Sequence, residues 1–445
     1  MVHDMIQIEK MGKPAIPIVS GRFEEDAIAS SRALGMPDLQ FVIVPRIYRN
    51  LPIDECVSQT EAAIDDIIDV LTVDKQHGRG ERDDVADVQR FEGEDRWDAI
   101  LKMNEQWLMR DWGDSFVLHP PTAEAVNELI AGTGLNADEL ICDMPPGFGL
   151  ATVEKIAINA AMAGAKPEHM PVIIAGVKAL SQMGSHGGTS LLMSTSPQAP
   201  LLIVNGPIAK EIGINARSAL GPGRDNEVNI TIGRAFSLCL RNIGYWYPGQ
   251  MDMDTIGTTR KFVHCIAENE DMSPWEPFHV NQGFRASEST VSVFITNGEL
   301  DVQDQGNTKA EDLLKTLAYG SIFGTRGLGM HGGGQRLILM PPDVAGPVGD
   351  QGFSKDDARG FIHLNANHSL GKMIQYTPLK GEARISPMWR WLEDLTEKER
   401  LEIEVPVVDN PENWHIVVVG ADRAKTCVMP TGDGVSTIGI DQYRP

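Results

Sequence analysis

Short apolar runs alternate with amphipathic stretches along the chain, and their spacing sets out the expected elements. Residues 3–11 have helical periodicity and stop at Gly12 and Pro14. Residues 15–19 read as a short strand and residues 24–34 as a second helix. Residues 39–44 form a continuous apolar strand of the kind buried in parallel sheets. Residues 56–71 are amphipathic, with Ala63, Ile64, Ile67, Ile68 and Leu71 on one side. From 72 to 95 the chain is polar, charged and glycine-containing, a linker pattern. Helices are expected over 96–112 and 123–131.

A second organised region opens at Pro145-Pro146-Gly147-Phe148-Gly149 and feeds a helix over 152–163. A helix over 171–180 follows. Buried strands are expected at 201–204, 337–340 and 415–419, each ending in a turn of small residues: Asn205-Gly206-Pro207, Pro341-Pro342-Asp343 and Gly420-Ala421-Asp422. Further helices fit 208–213, 232–243, 310–323 and 354–364, and further strands 261–266 and 290–296. The expected fold class is α/β, with two or three lobes of mainly parallel sheet flanked by helices. The segments are a lobe at 1–73, an acidic linker with helices at 74–144, a central domain at 145–300 and a C-terminal domain at 301–445. Strand-end turns in such sheets gather where open α/β folds place ligands.

The net charge of -23 argues against nucleic acid or an anionic membrane as partner. Five cysteines, scattered and without a CxxC spacing, indicate neither a zinc site nor a disulfide framework. No apolar run approaches a membrane span and no leader pattern opens the sequence, so a cytoplasmic location is expected.

Glu9-Lys10-Met11-Gly12-Lys13-Pro14, Phe23, Leu34-Gly35-Met36-Pro37-Asp38-Leu39 and Val44-Pro45 resemble the UGSC (seleno)protein family, itself similar to the redox domain of glycine reductase protein B. The resemblance covers about residues 3–73. In that family a strand and a Cys or selenocysteine motif precede the first helix, where the helix dipole favours a chalcogenolate. Here no cysteine precedes Cys56, and Pro45-Arg46-Ile47 stands where the family has Pro-His-Pro. The resemblance therefore implies a fold, with the thiol or selenol supplied by a small partner subunit or the activity lost. Pieces between 145 and 284, including Ala151-Thr152-Val153-Glu154-Lys155 and Ser273-Pro274-Trp275, resemble a bacterial family without assigned activity.

The densest chemistry lies at 261–284, where Cys265, Glu268, Glu270, Trp275 and His279 crowd about one loop. Strand alternation sends His264 and Cys265 to opposite faces, so they make no dyad. Cys265 is a nucleophile or soft-ligand candidate, against the bland reading of a packed core thiol. Glu268 and Glu270 are general acid/base candidates, and His264 and His279 are metal-ligand candidates. Trp275 is either a substrate contact or a packing anchor. On the helix after the glycine-rich turn, Glu154 is a further acid and Lys155 and Asn159 are substrate-binding candidates. Asn205 joins them at a strand end, and His186 and His331 sit in two His-Gly-Gly segments where backbone can approach a ligand.

Gly327-Leu328-Gly329-Met330-His331-Gly332 matches a dinucleotide-binding string, but a helix precedes it and a strand follows, the reverse of what that site needs. His331-Gly332-Gly333-Gly334 lacks the serine elbow that esterases require. Thr426-Cys427 is too short to argue a self-cleavage site. The leading expectation is a large subunit of a heteromeric thiol- or selenol-dependent enzyme that binds a small molecule. A metal-dependent lyase or hydrolase and a non-catalytic scaffold are the alternatives. The cofactor is left open between a metal ion and a partner's thiol or selenol.

Overall fold

The computed structural model describes residues 2–33, 35–44, 53–72, 88–184, 188–322, 334–373, 391–392, 394–432 and 434–445. The N-terminal segment pairs β1 (Ile18–Ser20) with β2 (Val42–Val44) in parallel. Helices Val2–Lys10, Glu24–Ala33 and Ile53–Thr72 accompany them. The last forms as its periodicity predicts, yet Ile64, Ile68 and Leu71 are exposed and Ala63 is buried.

β3 (Leu140–Met144) and β4 (Gly149–Thr152) make an antiparallel hairpin around Pro145-Pro146-Gly147-Phe148. The glycine-rich turn is thus a hairpin loop, and the helix Val153–Met162 starts only after β4. The central sheet takes β5 (Ala199–Asn205), β6 (His264–Ala267), β7 (Thr290–Thr296), β8 (Leu300–Gln303) and β9 (Gln335–Met340). A small antiparallel pair, β10 (Asn367–Ser369) and β11 (Glu404–Pro406), stands apart. β12 (Trp414–Val418), β13 (Lys425–Thr431) and β14 (Ser436–Gly439) complete the sheet. The strand order is β12-β9-β13-β7-β5-β6, with β14 beside β7 and β8 beside β13.

The α/β class holds, with the sheet flanked by helices. Its pairing corrects the expectation of mainly parallel strands: β5/β6 and β9/β12 are parallel, whereas β5/β7, β7/β14, β7/β13, β13/β9 and β13/β8 are antiparallel. The continuous apolar runs reported burial on both faces, and burial on both faces does not fix strand direction. The sheet also runs unbroken across residue 300, joining the segments 145–300 and 301–445.

Leu202, Val204, Cys265, Val291 and Val293 face the core that holds helices Val153–Met162, Met170–Gln182 and Glu227–Asn242. Ile338, Met340, Ile416 and Val418 share a second core with helices Ala310–Gly320, Pro342–Asp350 and Lys355–Asn365. Between the two, Leu201, Ile203, Ile266 and Phe294 pack with Leu337, Leu339 and Val417. Each fully buried side chain of this kind contributes about 1.5–3 kcal/mol. Contact between residues of opposite halves requires the sheet to curl. The corner is β7/β13, joined through Thr296 and Thr431. At the other end Asn269 N donates to Val418 O at 2.7 Å, so the chain leaving β6 reaches β12. The carboxyl ends of β5, β6 and β12 are thereby brought together. Among the described residues, no helix is long and apolar enough to cross a membrane.

Candidate functional site

The site lies where β5 and β6 end. Their parallel register sets Val204 beside Ala267, so Asn205 and Glu268 leave the sheet together. Asn205 is fully buried, opposite Thr290 on β7. Its Nδ2 donates to Glu268 Oε2 at 2.5 Å and to Glu270 Oε1 at 3.0 Å. One amide group therefore joins two carboxyl groups. Gly206 N adds a donor to Glu270 Oε1 at 2.8 Å, and Phe278 N donates to Glu268 Oε2 at 2.7 Å. The Gly206 amide is presented by a left-handed backbone, φ 84°, and a Cβ there would meet Glu288 O at 2.3 Å. Only glycine fits that turn.

His279 is fully buried in the short helix Phe278–Asn281. Its Nε2 lies 3.2 Å from Arg285 O, and its Nδ1 lies 4.0 Å from Glu270 Oε1, beyond hydrogen-bond reach. Burial lowers the His279 pKa, with Glu270 the largest opposing influence, which favours the neutral ring. Burial raises the pKa of Glu268. Lys355 opposes that most strongly, together with the bonds from Phe278 N and Asn205, while Glu270 adds to the rise. Lys355 is itself buried and donates to Glu276 O at 2.7 Å. Burial lowers its pKa, and Glu268 opposes that. A buried carboxyl with a raised pKa beside a more exposed one is an arrangement suited to proton transfer.

The structure thus brings together Asn205, Glu268, Glu270 and His279 from the sequence-expected set. Others fall elsewhere. Cys265 lies in the core with no exposed surface, and burial pushes its thiol up to about 12. That is the opposite of an activated thiolate, so the nucleophile expectation gives way to packing. His264 sits at the amino end of β6 with Nε2 against Leu220 O, remote from His279 beyond the carboxyl end. The two histidines therefore share no ligand set. Among the described residues no group of three His, Cys, Asp or Glu is placed to hold a metal ion. Trp275 donates from Nε1 to Phe353 O at 2.8 Å and packs on the second core, as an anchor would.

Glu154, Lys155 and Asn159 occupy the helix after β4. Its first amides are satisfied internally: Val153 N by Glu139 O, Glu154 N by Ala137 O and Lys155 N by Thr152 Oγ1. No free donors remain there for an anion. Asn159 is buried and accepts from Asn242 Nδ2 at 2.6 Å, a helix–helix tie. Glu154 and Lys155 are exposed. His186 and His331 lie outside the described residues.

Lys355, Thr290 and the Phe278 amide were missed in sequence. Lys355 opens a helix capped by Ser354 and Asp357 and looks like an ordinary first-turn lysine; only tertiary packing buries it.

Residues 1–73 match the UGSC family. The match covers β1, β2 and their helices and stops before the site. No curated protein matches the chain.

The burial of the thiols carries its own prediction. Cys239 and Cys265 are fully buried, and burial raises the pKa of both. At pH 8 an aromatic disulfide reagent is expected to leave both untouched in the native protein and to modify both after denaturation. Modification of Cys265 in the folded state at the rate of a free thiol would refute the core assignment.

Proposed function

We propose that this chain is the large subunit of a heteromeric enzyme related to thiol- or selenol-dependent reductases. It provides the small-molecule pocket and its acid–base group, and a partner chain provides the redox-active Cys or selenocysteine. The carrying observation is Glu268: a buried carboxyl with a raised pKa, joined to Glu270 through Asn205. A carboxyl tuned upward is suited to exchange protons near neutral pH. Glu270, joined to it through Asn205, is the more exposed of the two carboxyls.

The family match of residues 1–73 supports the link to UGSC proteins. Four of the chain's five thiols support an external redox group. Burial raises the pKa of Cys142, Cys239, Cys265 and Cys427, leaving all four poor thiolates. Cys142, Cys239, Cys265 and Cys427 form no disulfide, which suits a reducing compartment such as the cytoplasm.

Affinity purification of the tagged chain from its native cells, followed by mass spectrometry of everything retained, tests the reading. A small Cys- or selenocysteine-containing chain in stoichiometric amount is expected. A stable homo-oligomer with full activity and no small partner overturns it.

A further inference from the structure

The helix Ile53–Thr72 meets β2 along one side. Ala63 is buried there, and Cys56, Gln59 and Val70 are half-buried. A second row is exposed: Ile53, Val57, Ile64, Ile68 and Leu71, from 37% at Leu71 to 58% at Ile53. At about 100° per residue these five side chains fall within an arc of about 60°. Positions Ile53, Val57, Thr60, Ile64, Ile67 and Leu71 step alternately by four and three, the heptad spacing of a seam that packs against another helix. The row runs nearly the whole length of the helix, about 27 Å at 1.5 Å per residue.

Carboxylates border this row on the side away from β2. Asp54, Glu61 and Asp65 lie next to it, with Glu55, Asp66 and Asp69 behind. The helix thus holds six acids and no Lys, Arg or His. Contiguous exposed aliphatic surface with a polar rim marks an interaction site, and the sign of the rim selects the occupant. A second copy of the chain would bring another acidic row to the seam, where like charges repel. An anionic bilayer is disfavoured for the same reason, since helices that lie on such surfaces carry Lys and Arg beside their apolar row. A helix with basic flanks gains on both counts: it covers the aliphatic row and sets its cations against Asp54, Glu61 and Asp65.

We propose that the helix Ile53–Thr72 is the docking face for an amphipathic helix of another protein, one that is apolar along a heptad seam and carries Lys or Arg beside it. That helix lies over Ile53, Val57, Ile64, Ile68 and Leu71, and its cations face the acidic rim. The docking face stands whether or not the bound chain carries a redox group, and it shares no residue with the Glu268 site.

Two synthetic three-heptad peptides with Leu at the seam positions test it, one with Lys at the flanking positions and the other with Glu. Each carries a fluorophore and is titrated with the full chain, and anisotropy reads the binding. The Lys peptide is expected to bind saturably, one per chain, about tenfold or more tighter than the Glu peptide, and to weaken as salt rises. Ile64→Gln with Ile68→Gln removes apolar surface, leaves every charge in place and keeps a good helix former. It should weaken the Lys peptide about tenfold with Tm unchanged. Glu61→Lys with Asp65→Lys should reverse the preference between the two peptides. Lys-peptide binding undiminished by the glutamine substitutions would be mere attraction to a chain of net charge -23 and would overturn the docking seam. Equal binding of the two peptides, or binding of neither, also overturns it. So does a wild-type dimer in sedimentation that the glutamine substitutions disperse, or adsorption to anionic vesicles that they abolish. Where circular dichroism shows the glutamine variant to have lost structure, the charge-reversed variant decides alone: an unchanged preference for the Lys peptide overturns the proposal.

Discussion

Lys261→Met is expected to lower the unfolding free energy by about 3–5 kcal/mol, the cost of breaking a buried ion pair from one side. The Lys261 ammonium is ion-paired with Asp252 and, at 2.7 Å, with Asp254, and it lies 5.1 Å from the centre of the Trp246 ring. The lysine side chain is 11% exposed and those of both acids 5%, so water does little to replace the lost cation. Methionine fills similar volume, which isolates the charge from a cavity effect. Burial raises the pKa of Asp254, and Lys261 is the main influence holding it down. Without the lysine the folded-state value climbs further. A group whose folded value is raised contributes stability that is complete below its unfolded value and is lost as pH rises through the folded one. The deficit of Lys261→Met should therefore be smallest at acid pH and grow as pH rises. Adding Asp254→Asn to Lys261→Met should recover part of the loss at neutral pH. Urea unfolding at several pH values measures it; a deficit below about 1 kcal/mol, or one that ignores pH, contradicts the account.

The same lysine marks how far the sequence could be read. Residues 261–266 look like a strand, but residues Thr259–Phe262 form a 3-10 turn and the strand begins at His264. Lys261 is pulled into the ion cluster instead of entering the sheet. Elements with strong periodicity were legible: the helix Ala123–Ala131 and the strand Thr290–Thr296 fall where the pattern puts them. Lys425–Thr431 was not legible, because Lys425 and Pro430 interrupt the apolar run, although this strand pairs with β8, β9 and β7. At the site, Glu268, Glu270 and Asn205 were legible as acids and an amide at strand ends. Their shared hydrogen bonds were not, because 63 residues separate Asn205 from Glu268 along the chain. Only the parallel pairing of β5 and β6 brings them together.

Glu268 should separate function from stability most sharply. In Glu268→Gln the amide oxygen can keep the bonds from Asn205 Nδ2 and Phe278 N, and its NH2 falls where Oε1 now lacks a partner. The variant should fold and, if Glu268 is the acid–base group of the proposed enzyme, lose about 100- to 10,000-fold of that activity, the scale of a general acid or base. It should also be more stable than wild type at alkaline pH. Because burial raises the wild-type carboxyl's pKa in the folded state, its stabilising contribution is complete below its unfolded value and is lost as pH rises through the raised one. Each unit of that rise corresponds to about 1.4 kcal/mol, which glutamine escapes. Glu268→Ala should behave oppositely. It removes the acceptor of the buried Phe278 amide and one of the two acceptors of Asn205, costing about 1–3 kcal/mol for each donor left unpaired. Unfolding curves between pH 4 and 9 compare the three proteins. A Glu268→Gln curve parallel to wild type across that range would mean that folding does not shift the carboxyl's pKa, and the acid–base role would fall with it. A stable, inactive glutamine variant beside an unstable alanine variant would separate the carboxyl's proton from its hydrogen bonds: the first serves the reaction, the second hold β5, β6 and the Phe278–Asn281 helix together.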